Sequence, residues 1–281
     1  MTPEHIAVGF GSGFFLKKAA LMNGIDKGEL ISPVLTFETI NRFAKTMKSN
    51  VKRIPMDNKI GIDLDRTAEN TGSRTKLIYL CNPNNPTGSI MATDQLESFC
   101  KTMSKKTIVF VDEAYHEYVT HPDYRSMIDL VKKGHNVMVS RTASKVHGLA
   151  GLRVGFAITT PEIAKRLESY LTDSLNIIGL RAAIASYQDE RFQAHSVEQN
   201  NRAKKIVISH LDNKGIEYLN SQTNFIFIKT GMDITDFQPA MEKNGVIVGR
   251  PFPPYNKWCR LSMAKPEEME NFNTGMDRVL G

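Results

Sequence analysis

Hydrophobic runs alternate with longer amphipathic stretches along the first two thirds of the chain. The strand-like runs are residues 29–34, 76–81, 107–111 and 137–139. Apolar runs of this length bounded by turn residues are typical of buried strands. The helix-like stretches are residues 14–23, 161–171 and 180–189. Because alternating strands and helices favour βαβ units, we predict an α/β fold in which helices cover both faces of a mainly parallel sheet.

A second pattern begins near residue 193. The helix-like stretches there are residues 193–211, 234–244 and 266–280, and the strand-like runs are residues 216–219, 224–229, 246–248 and 259–263. Short strands mixed with helices are typical of a small α+β unit. We therefore predict a large cofactor-binding domain over residues 1–192 and a smaller C-terminal domain over residues 193–281.

The composition is that of an ordinary globular protein. A length of 281 residues is enough for one large and one smaller domain. Hydrophobic residues make up 41% and charged residues 23% of the chain, and no apolar run reaches the ~18 residues that a membrane crossing needs. We therefore predict no membrane partner.

The net charge of +6 is spread along the chain in scattered basic pairs. A nucleic-acid-binding surface needs basic residues gathered on one face, so we predict no nucleic-acid partner. The positive net charge nevertheless suits anionic small molecules as ligands. The three cysteines are too few and too far apart for a disulfide framework or a zinc site. With no signal peptide visible at residues 1–8, we expect a reducing, cytoplasmic location and no bound metal.

The candidate chemistry centres on Lys145, which follows the apolar run at 137–139. Residues 140–144 form a hydroxyl-rich stretch that we predict to be a turn. The glycines that we predict to allow close packing after it are Gly148, Gly151 and Gly155. An amine at the exit of a strand, in a partly apolar pocket, has a lowered pKa and can act as a nucleophile. Arg153 could return to the same pocket and bind an anion.

This segment resembles the cofactor-lysine segment of the pyridoxal-phosphate aminotransferases of fold type I. The matching residues are Thr142, Ser144, Lys145, Gly151, Leu152, Arg153 and Gly155. Over almost the whole chain the sequence is similar to the histidinol-phosphate aminotransferase branch, with which it shares V-D-E-A-Y-H-E at 111–117 and V-G-R-P-F-P-P at 248–254. The resemblance implies pyridoxal 5′-phosphate as cofactor and Lys145 as the residue that holds it as a Schiff base and then moves a proton as general acid and base.

The resemblance also assigns residues to the cofactor phosphate. A glycine-rich turn opens the helix at 14–23, and free N–H groups at a helix start bind phosphate, although a plain tight turn would read the same way. In the family the corresponding turn holds the phosphate, which makes Ser12 and Gly13 candidates. The remaining candidates at this end of the cofactor are Thr142, Ser144 and Arg153.

Four further residues are assigned to the cofactor ring by the resemblance. Phe37 would stack on the ring, although it could equally be an ordinary core aromatic. Asn85, within N-P-N-N-P-T-G at 82–88, and Tyr115 would bond the ring's hydroxyl oxygen. Asp112 would hold the ring nitrogen protonated, with a helix N-cap as the alternative. Lys145, Asp112 and Tyr115 are thus the predicted catalytic residues.

Two arginines of the C-terminal part match anion-binding residues of the family. Arg250 and Arg260 would bind an anionic substrate, although each alone would more often be a surface residue. We therefore predict transamination of an amine such as histidinol phosphate or an aromatic amino acid, with glutamate or 2-oxoglutarate as the second substrate, in amino-acid biosynthesis. The alternatives left open are a pyridoxal-phosphate lyase or decarboxylase, and a fragment that binds the cofactor but is catalytically impaired.

The resemblance carries an expectation about assembly. Members of the family are homodimers, and full-length relatives carry several tens of residues before the position of Met1, in a region that supplies an arm and substrate-lid residues. We expect this chain to bind the cofactor as a dimer and, if it is all there is, to transaminate poorly. An exported full-length form stays open as an alternative to the cytoplasmic one.

Overall fold

A computed structural model describes residues 1–281, and its largest element is a seven-stranded sheet. The strands are β1 (Ile6–Gly9), β2 (Glu29–Pro33), β3 (Asn50–Ile54), β4 (Thr75–Cys81), β5 (Ile108–Asp112), β6 (Val137–Thr142) and β7 (Gly155–Ile158). Their order is β1-β7-β6-β5-β4-β2-β3. Neighbours from β3 to β6 are parallel. β7 runs antiparallel to both of its neighbours, β6 and the edge strand β1. The predicted mainly parallel α/β sheet is confirmed.

Ten helices surround the sheets. They are α1 (Ser12–Ile25), α2 (Thr39–Thr46), α3 (Leu64–Glu69), α4 (Thr93–Met103), α5 (Ile128–Lys132), α6 (Pro161–Glu168), α7 (Ile177–Gln188), α8 (Glu190–Lys214), α9 (Ile234–Lys243) and α10 (Pro266–Leu280). Helices α1, α2 and α6 pack on one face of the large sheet, and α4 and α5 pack on the other.

Alternate residues of the central strands enter the two different cores. Tyr79 and Phe110 pack with α1, whereas Ile78 and Val109 pack with α4 and α5. Side chains alternate along a strand, so a strand that helices cover on both faces must be apolar at nearly every position. This is the physical reason for the continuous apolar runs of β4 and β5.

A second, three-stranded antiparallel sheet lies in the C-terminal part. Its strands are β8 (Tyr218–Leu219), β9 (Phe225–Lys229) and β10 (Trp258–Ser262), in the order β10-β9-β8. It shares a core with α8, α9 and α10. The predicted smaller α+β unit is confirmed as an architecture, while its boundary at residues 192–193 falls inside the first turn of α8 and stays a prediction.

Two local predictions are wrong. Residues 246–248 form no strand, and Ile247 is exposed instead of paired. Residues 140–142 are not a turn but the end of β6, because Ser140 and Thr142 pair with Ala157 and Gly155 of β7. No helix in the structure combines the length and the apolar character that a membrane crossing requires.

Candidate active site

The carboxyl ends of β5 and β6 and the N-terminus of α1 meet around a cavity of about 610 Å³. The carboxyl ends of parallel strands are where open α/β sheets place their ligands. Nine of the predicted site residues line this cavity: Ser12, Gly13, Phe37, Asp112, Tyr115, Thr142, Ser144, Lys145 and Arg153. Two larger clefts, of about 930 and 800 Å³, contain none of the predicted residues, so chemistry and not size identifies the site.

Lys145 lies just after β6, half-buried, with its amine 5.0 Å from the centroid of the Tyr115 ring. Burial lowers the pKa of this amine. The Asp112 carboxylate opposes that shift in pKa, whereas the positive charges of Arg260 and Arg153 add to it. A lysine with a lowered pKa spends more time as the neutral amine, which is the form that acts as nucleophile and base.

Asp112 is the last residue of β5 and is only 2% exposed. Its Oδ1 accepts a hydrogen bond of 2.7 Å from the Ser140 hydroxyl, and its Oδ2 accepts one of 3.2 Å from the Tyr79 hydroxyl. Burial raises the pKa of Asp112, while the two hydroxyls and the Lys145 amine oppose the rise. Asp112 caps no helix, because the next helical turn begins at His116 with Tyr115 as its N-cap.

Asn85 connects the two sheets beside the cavity, although neither Asn85 nor its partner Arg260 lines it. Its Nδ2 donates to the Tyr115 hydroxyl at 3.1 Å, and its Oδ1 accepts from Arg260 Nη1 at 2.8 Å. Arg260 comes from β10 of the small sheet, and its guanidinium lies 5.3 Å from the centroid of the Phe225 ring. The Arg260 Nε is buried and makes no hydrogen bond. A cation from the small sheet is thereby held beside the residues of the large one.

The opposite end of the cavity gathers hydrogen-bond donors. Helix α1 begins at Ser12 and has no acidic residue in its first turn, so its free N–H groups and positive dipole end lack a protein anion. Arg153 donates to the carbonyls of Phe10 at 3.1 Å and Ala150 at 2.7 Å, and Thr142 donates to Ser144 at 2.9 Å. Helix starts with this chemistry bind phosphate groups.

Arg250 is not brought to this cavity. It is exposed, donates to the Pro251 carbonyl at 2.9 Å and lies 4.2 Å from the centroid of the Phe252 ring. Phe37 lines the cavity but also packs against the core on the α1 face of the sheet. The substrate role of Arg250 and the stacking role of Phe37 therefore stay predictions.

Several residues of the site were missed by sequence reasoning. Tyr79 and Ser140 bond the Asp112 carboxylate, and Lys17 and Cys81 line the cavity. The signal that could have found Ser140 is the strand register, in which it pairs directly with Asp112. Predicting a turn at 140–144 removed that signal.

Comparisons with known proteins agree with this geometry. The family model described as "Aminotransferase class I and II" matches residues 2–274. A histidinol-phosphate aminotransferase 2 of Hydrogenovibrio crunogenus is 32% identical over 282 residues, which are 99% of this chain and 75% of the relative. Histidinol-phosphate aminotransferase 2 of Haemophilus influenzae is 34% identical over 282 residues, which are 99% of this chain and 76% of the relative.

Solved structures share the fold. A crystal structure of an Erwinia carotovora atroseptica protein matches with a TM-score of 0.94 and 31% identity, covering 98% of this chain and 81% of the other. The histidinol-phosphate aminotransferase from Sinorhizobium meliloti, solved in complex with pyridoxal-5′-phosphate, matches with a TM-score of 0.89 and 24% identity, covering 100% of this chain and 77% of the other.

Proposed function

We propose, from the premise that this chain belongs to the class I and II aminotransferase family, that it transfers the amino group of histidinol phosphate to 2-oxoglutarate. The chain is a pyridoxal-phosphate-dependent aminotransferase acting on amine and 2-oxo acid substrates. The observation that carries the proposal is that one cavity is lined by the Lys145 amine, the buried Asp112 carboxylate and the first residues of α1, whose first turn has no acidic residue. The choice of histidinol phosphate rests on the named relatives, which are 32–34% identical over nearly the whole chain.

The donor set of the cavity fits pyridoxal phosphate. Ser12, Gly13, Ser144 and Arg153 offer hydroxyl, backbone and guanidinium donors to a phosphate. The Asp112 carboxylate would offer an acceptor to a protonated ring nitrogen. The Lys145 amine lines the same cavity and would supply the nucleophile for the cofactor aldehyde, and this match of anion, cation and nucleophile supports the assignment.

The residue roles follow from the chemistry of these groups. When bound, the cofactor supplies an electron sink for the electron pair that remains on the substrate carbon once its proton has been removed. Lys145 Nζ would attach the cofactor covalently, take that proton as general base and return it as general acid. Asp112 would keep the ring nitrogen protonated, and Tyr115 and Asn85 would donate to the ring's hydroxyl oxygen.

The substrate anion is proposed to bind at Arg260, with Arg250 as a second, outer contact. Although Arg250 is exposed overall, partial desolvation lowers the pKa of its guanidinium, and the charge of the neighbouring Arg260 lowers it further. Their proximity favours a negatively charged partner. The buried Nε of Arg260 has no hydrogen-bond partner, and a bound oxyanion would accept a hydrogen bond from it. This supports Arg260 as the anion-binding residue.

We also propose that the protein is a homodimer. Helix α7 exposes Ile177, Ile178 and Ile184, whose exposed fractions are 67%, 77% and 55%. Exposed apolar clusters on one helix mark protein interfaces. Ile178→Glu should therefore give a lighter species in sedimentation velocity than Ile25→Glu, a matched change at an exposed isoleucine on α1. Equal sedimentation of both variants with the parent would contradict the assignment of α7 to the interface.

The test of function is a panel of assays on the cofactor-loaded protein. Histidinol phosphate with 2-oxoglutarate should give glutamate, and aromatic amino acids serve as comparison donors. Carbon dioxide or eliminated phosphate without glutamate would instead support a decarboxylase or lyase. A protein that binds the cofactor but converts none of these substrates would contradict the proposed activity and support an impaired fragment. Loss of glutamate formation in Lys145→Ala controls for contaminating aminotransferases.

A further inference from the structure

Both oxygens of the Asp112 carboxylate are held by hydroxyl groups from the two strands that flank β5. We propose that Tyr79 and Ser140 are positioning residues that keep Asp112 ionised and aimed at the ring nitrogen of the cofactor. This inference rests on the proposed function, because it takes Asp112 as the partner of that nitrogen. Neither hydroxyl would touch the substrate.

The strand register brings the three side chains together. Ser140 of β6 pairs with Asp112 of β5, and Asp112 pairs with Cys81 of β4, two residues after Tyr79. Residues two apart in a strand point to the same face, so Tyr79 reaches the carboxylate from one side and Ser140 from the other. The Tyr79 ring packs edge-on against Phe110 with centroids 5.8 Å apart, which fixes the position of its hydroxyl.

Both hydroxyls have the Asp112 carboxylate as their oxygen acceptor. Tyr79 and Ser140 are fully buried; Ser140 bonds Asp112 alone, and Tyr79 bonds Asp112 and also lies beside the Cys81 thiol. A buried hydroxyl costs free energy unless it is bonded, and an aliphatic or phenyl side chain would fill the same core space without that cost. Two such hydroxyls that converge on one carboxylate indicate a role for the carboxylate's charge.

The two hydroxyls oppose the effect of burial on the pKa of Asp112. Burial raises the pKa of Asp112 and so favours its neutral form, whereas the Ser140 and Tyr79 hydroxyls, the next largest influences, lower the pKa. The other titratable groups near it are the Lys145 amine, the Cys81 thiol and the Tyr115 hydroxyl. Burial raises the pKa of the thiol and of the Tyr115 hydroxyl, which favours their neutral forms. A more basic Asp112 would compete for the proton of the ring nitrogen.

A matched control distinguishes positioning from core stability. Ser32 of β2 is also fully buried in the same sheet and donates a 2.8 Å hydrogen bond to Asn41, but it does not line the cavity. Ser32→Ala should therefore cost stability as Ser140→Ala does, without changing the bound cofactor. Ser140→Thr keeps a hydroxyl and serves as the conservative rescue.

The experiment loads Tyr79→Phe, Ser140→Ala, the double variant, Ser140→Thr and Ser32→Ala with ring-nitrogen-15-labelled pyridoxal phosphate. We expect Tyr79→Phe and Ser140→Ala each to move the nitrogen-15 resonance toward the unprotonated pyridine value and to lower kcat by about tenfold, as for one lost hydrogen bond to a charged group. KM should stay nearly constant. The double variant should show a larger shift of the resonance and a larger loss of kcat than either single variant. Ser140→Thr and Ser32→Ala should have the resonance and the kcat of the parent.

The outcomes separate this inference from the proposed function. If Asp112→Asn shifts the resonance and lowers kcat while Tyr79→Phe and Ser140→Ala behave like Ser32→Ala, the positioning inference is overturned and the role of Asp112 stands. If Asp112→Asn itself changes neither, both are overturned. Should Ser140→Ala fail to fold, Tyr79→Phe decides alone, because it removes a single oxygen atom from a ring that keeps its packing.

Discussion

Gly155 is the position where the structure predicts the sharpest steric effect on the cofactor site. It is the first residue of β7 and pairs with Thr142 of β6 and Gly9 of β1. A Cβ at Gly155 would lie 2.6 Å from both the carbonyl carbon of Gly11 and the backbone nitrogen of Ser12. These are backbone atoms at the start of α1, so Gly155→Ala must push the first turn of that helix or distort β7.

The size of the effect can be worked from these contacts. A carbon atom at 2.6 Å is about 0.8 Å closer than the 3.4 Å at which ordinary contact begins. Overpacking of this kind costs about 1–3 kcal/mol of folding free energy. Displacing the N–H groups at Ser12 should also weaken one or more hydrogen bonds to the cofactor phosphate, each worth about 1.5–3 kcal/mol for a charged acceptor. We therefore expect a dissociation constant for pyridoxal phosphate raised about tenfold to a hundredfold.

The assay compares two ligands and two glycines. Pyridoxal phosphate and pyridoxal, which lacks the phosphate, are titrated against Gly155→Ala and Gly151→Ala by absorbance, with unfolding followed in urea. Gly151 lies in the same segment, and a Cβ there would meet no atom within 4 Å, so its variant should bind both ligands as the parent does. Gly155→Ala should bind pyridoxal phosphate more weakly than the parent does, while its affinity for pyridoxal stays at the parent's value. Parental affinity and stability in Gly155→Ala would refute the steric argument.

Three further predictions test the site and its surroundings. Borohydride reduction of the loaded protein should fix the label on Lys145 and leave Lys145→Ala unlabelled; a label mapped to another lysine would remove Lys145 from its role. Arg260→Ala should raise KM for histidinol phosphate by about tenfold or more, and Arg250→Ala by less because Arg250 is exposed; equal effects would contradict this ranking. Burial lowers the pKa of His116 from 6.5 to about 3, so only the unfolded state takes up this proton between those values and stability should fall as pH drops below 6.5. His116→Phe should flatten that slope in urea unfolding by up to about 1.4 kcal/mol per pH unit, and an unchanged slope would contradict it.

The central strands were predictable because burial on both faces requires an apolar residue at nearly every position of the strand. Each end of β4 and β5 lies within one residue of the corresponding end of the runs at 76–81 and 107–111. Because ligands gather at the carboxyl edge of a parallel sheet, the predicted strand end pointed to Asp112, which is the last residue of β5 and lines the cavity. The same reasoning cannot find edge strands. β3 carries Asn50, Lys52 and Arg53 because one side of it faces solvent, and its polar pattern resembles a loop.

The glycines show where a local pattern stops being informative. Gly148, Gly151 and Gly155 were all predicted to allow close packing, and only Gly155 does so. Gly148 has a φ of +69°, so backbone conformation and not crowding favours glycine there. A glycine can be needed for close packing or for its backbone conformation, and the sequence around it does not say which. At Gly155 the close neighbour is the start of α1, more than a hundred residues earlier in the sequence.

The contact between Arg260 and Asn85 depends on tertiary packing in the same way. The two residues are 175 positions apart and lie on different sheets. Sequence motifs named each of them separately, one for the substrate and one for the cofactor. Arginine has a long, flexible side chain that can reach several acceptors. Here the Phe225 and Phe252 rings lie beside the Arg260 guanidinium and limit the positions it can adopt. Arg260 donates to Asn85, Asn85 donates to Tyr115, and the Tyr115 ring lies beside the Lys145 amine. One series of contacts therefore links the arginine proposed for the substrate with the lysine proposed for the cofactor, and we expect a change at either to affect the other.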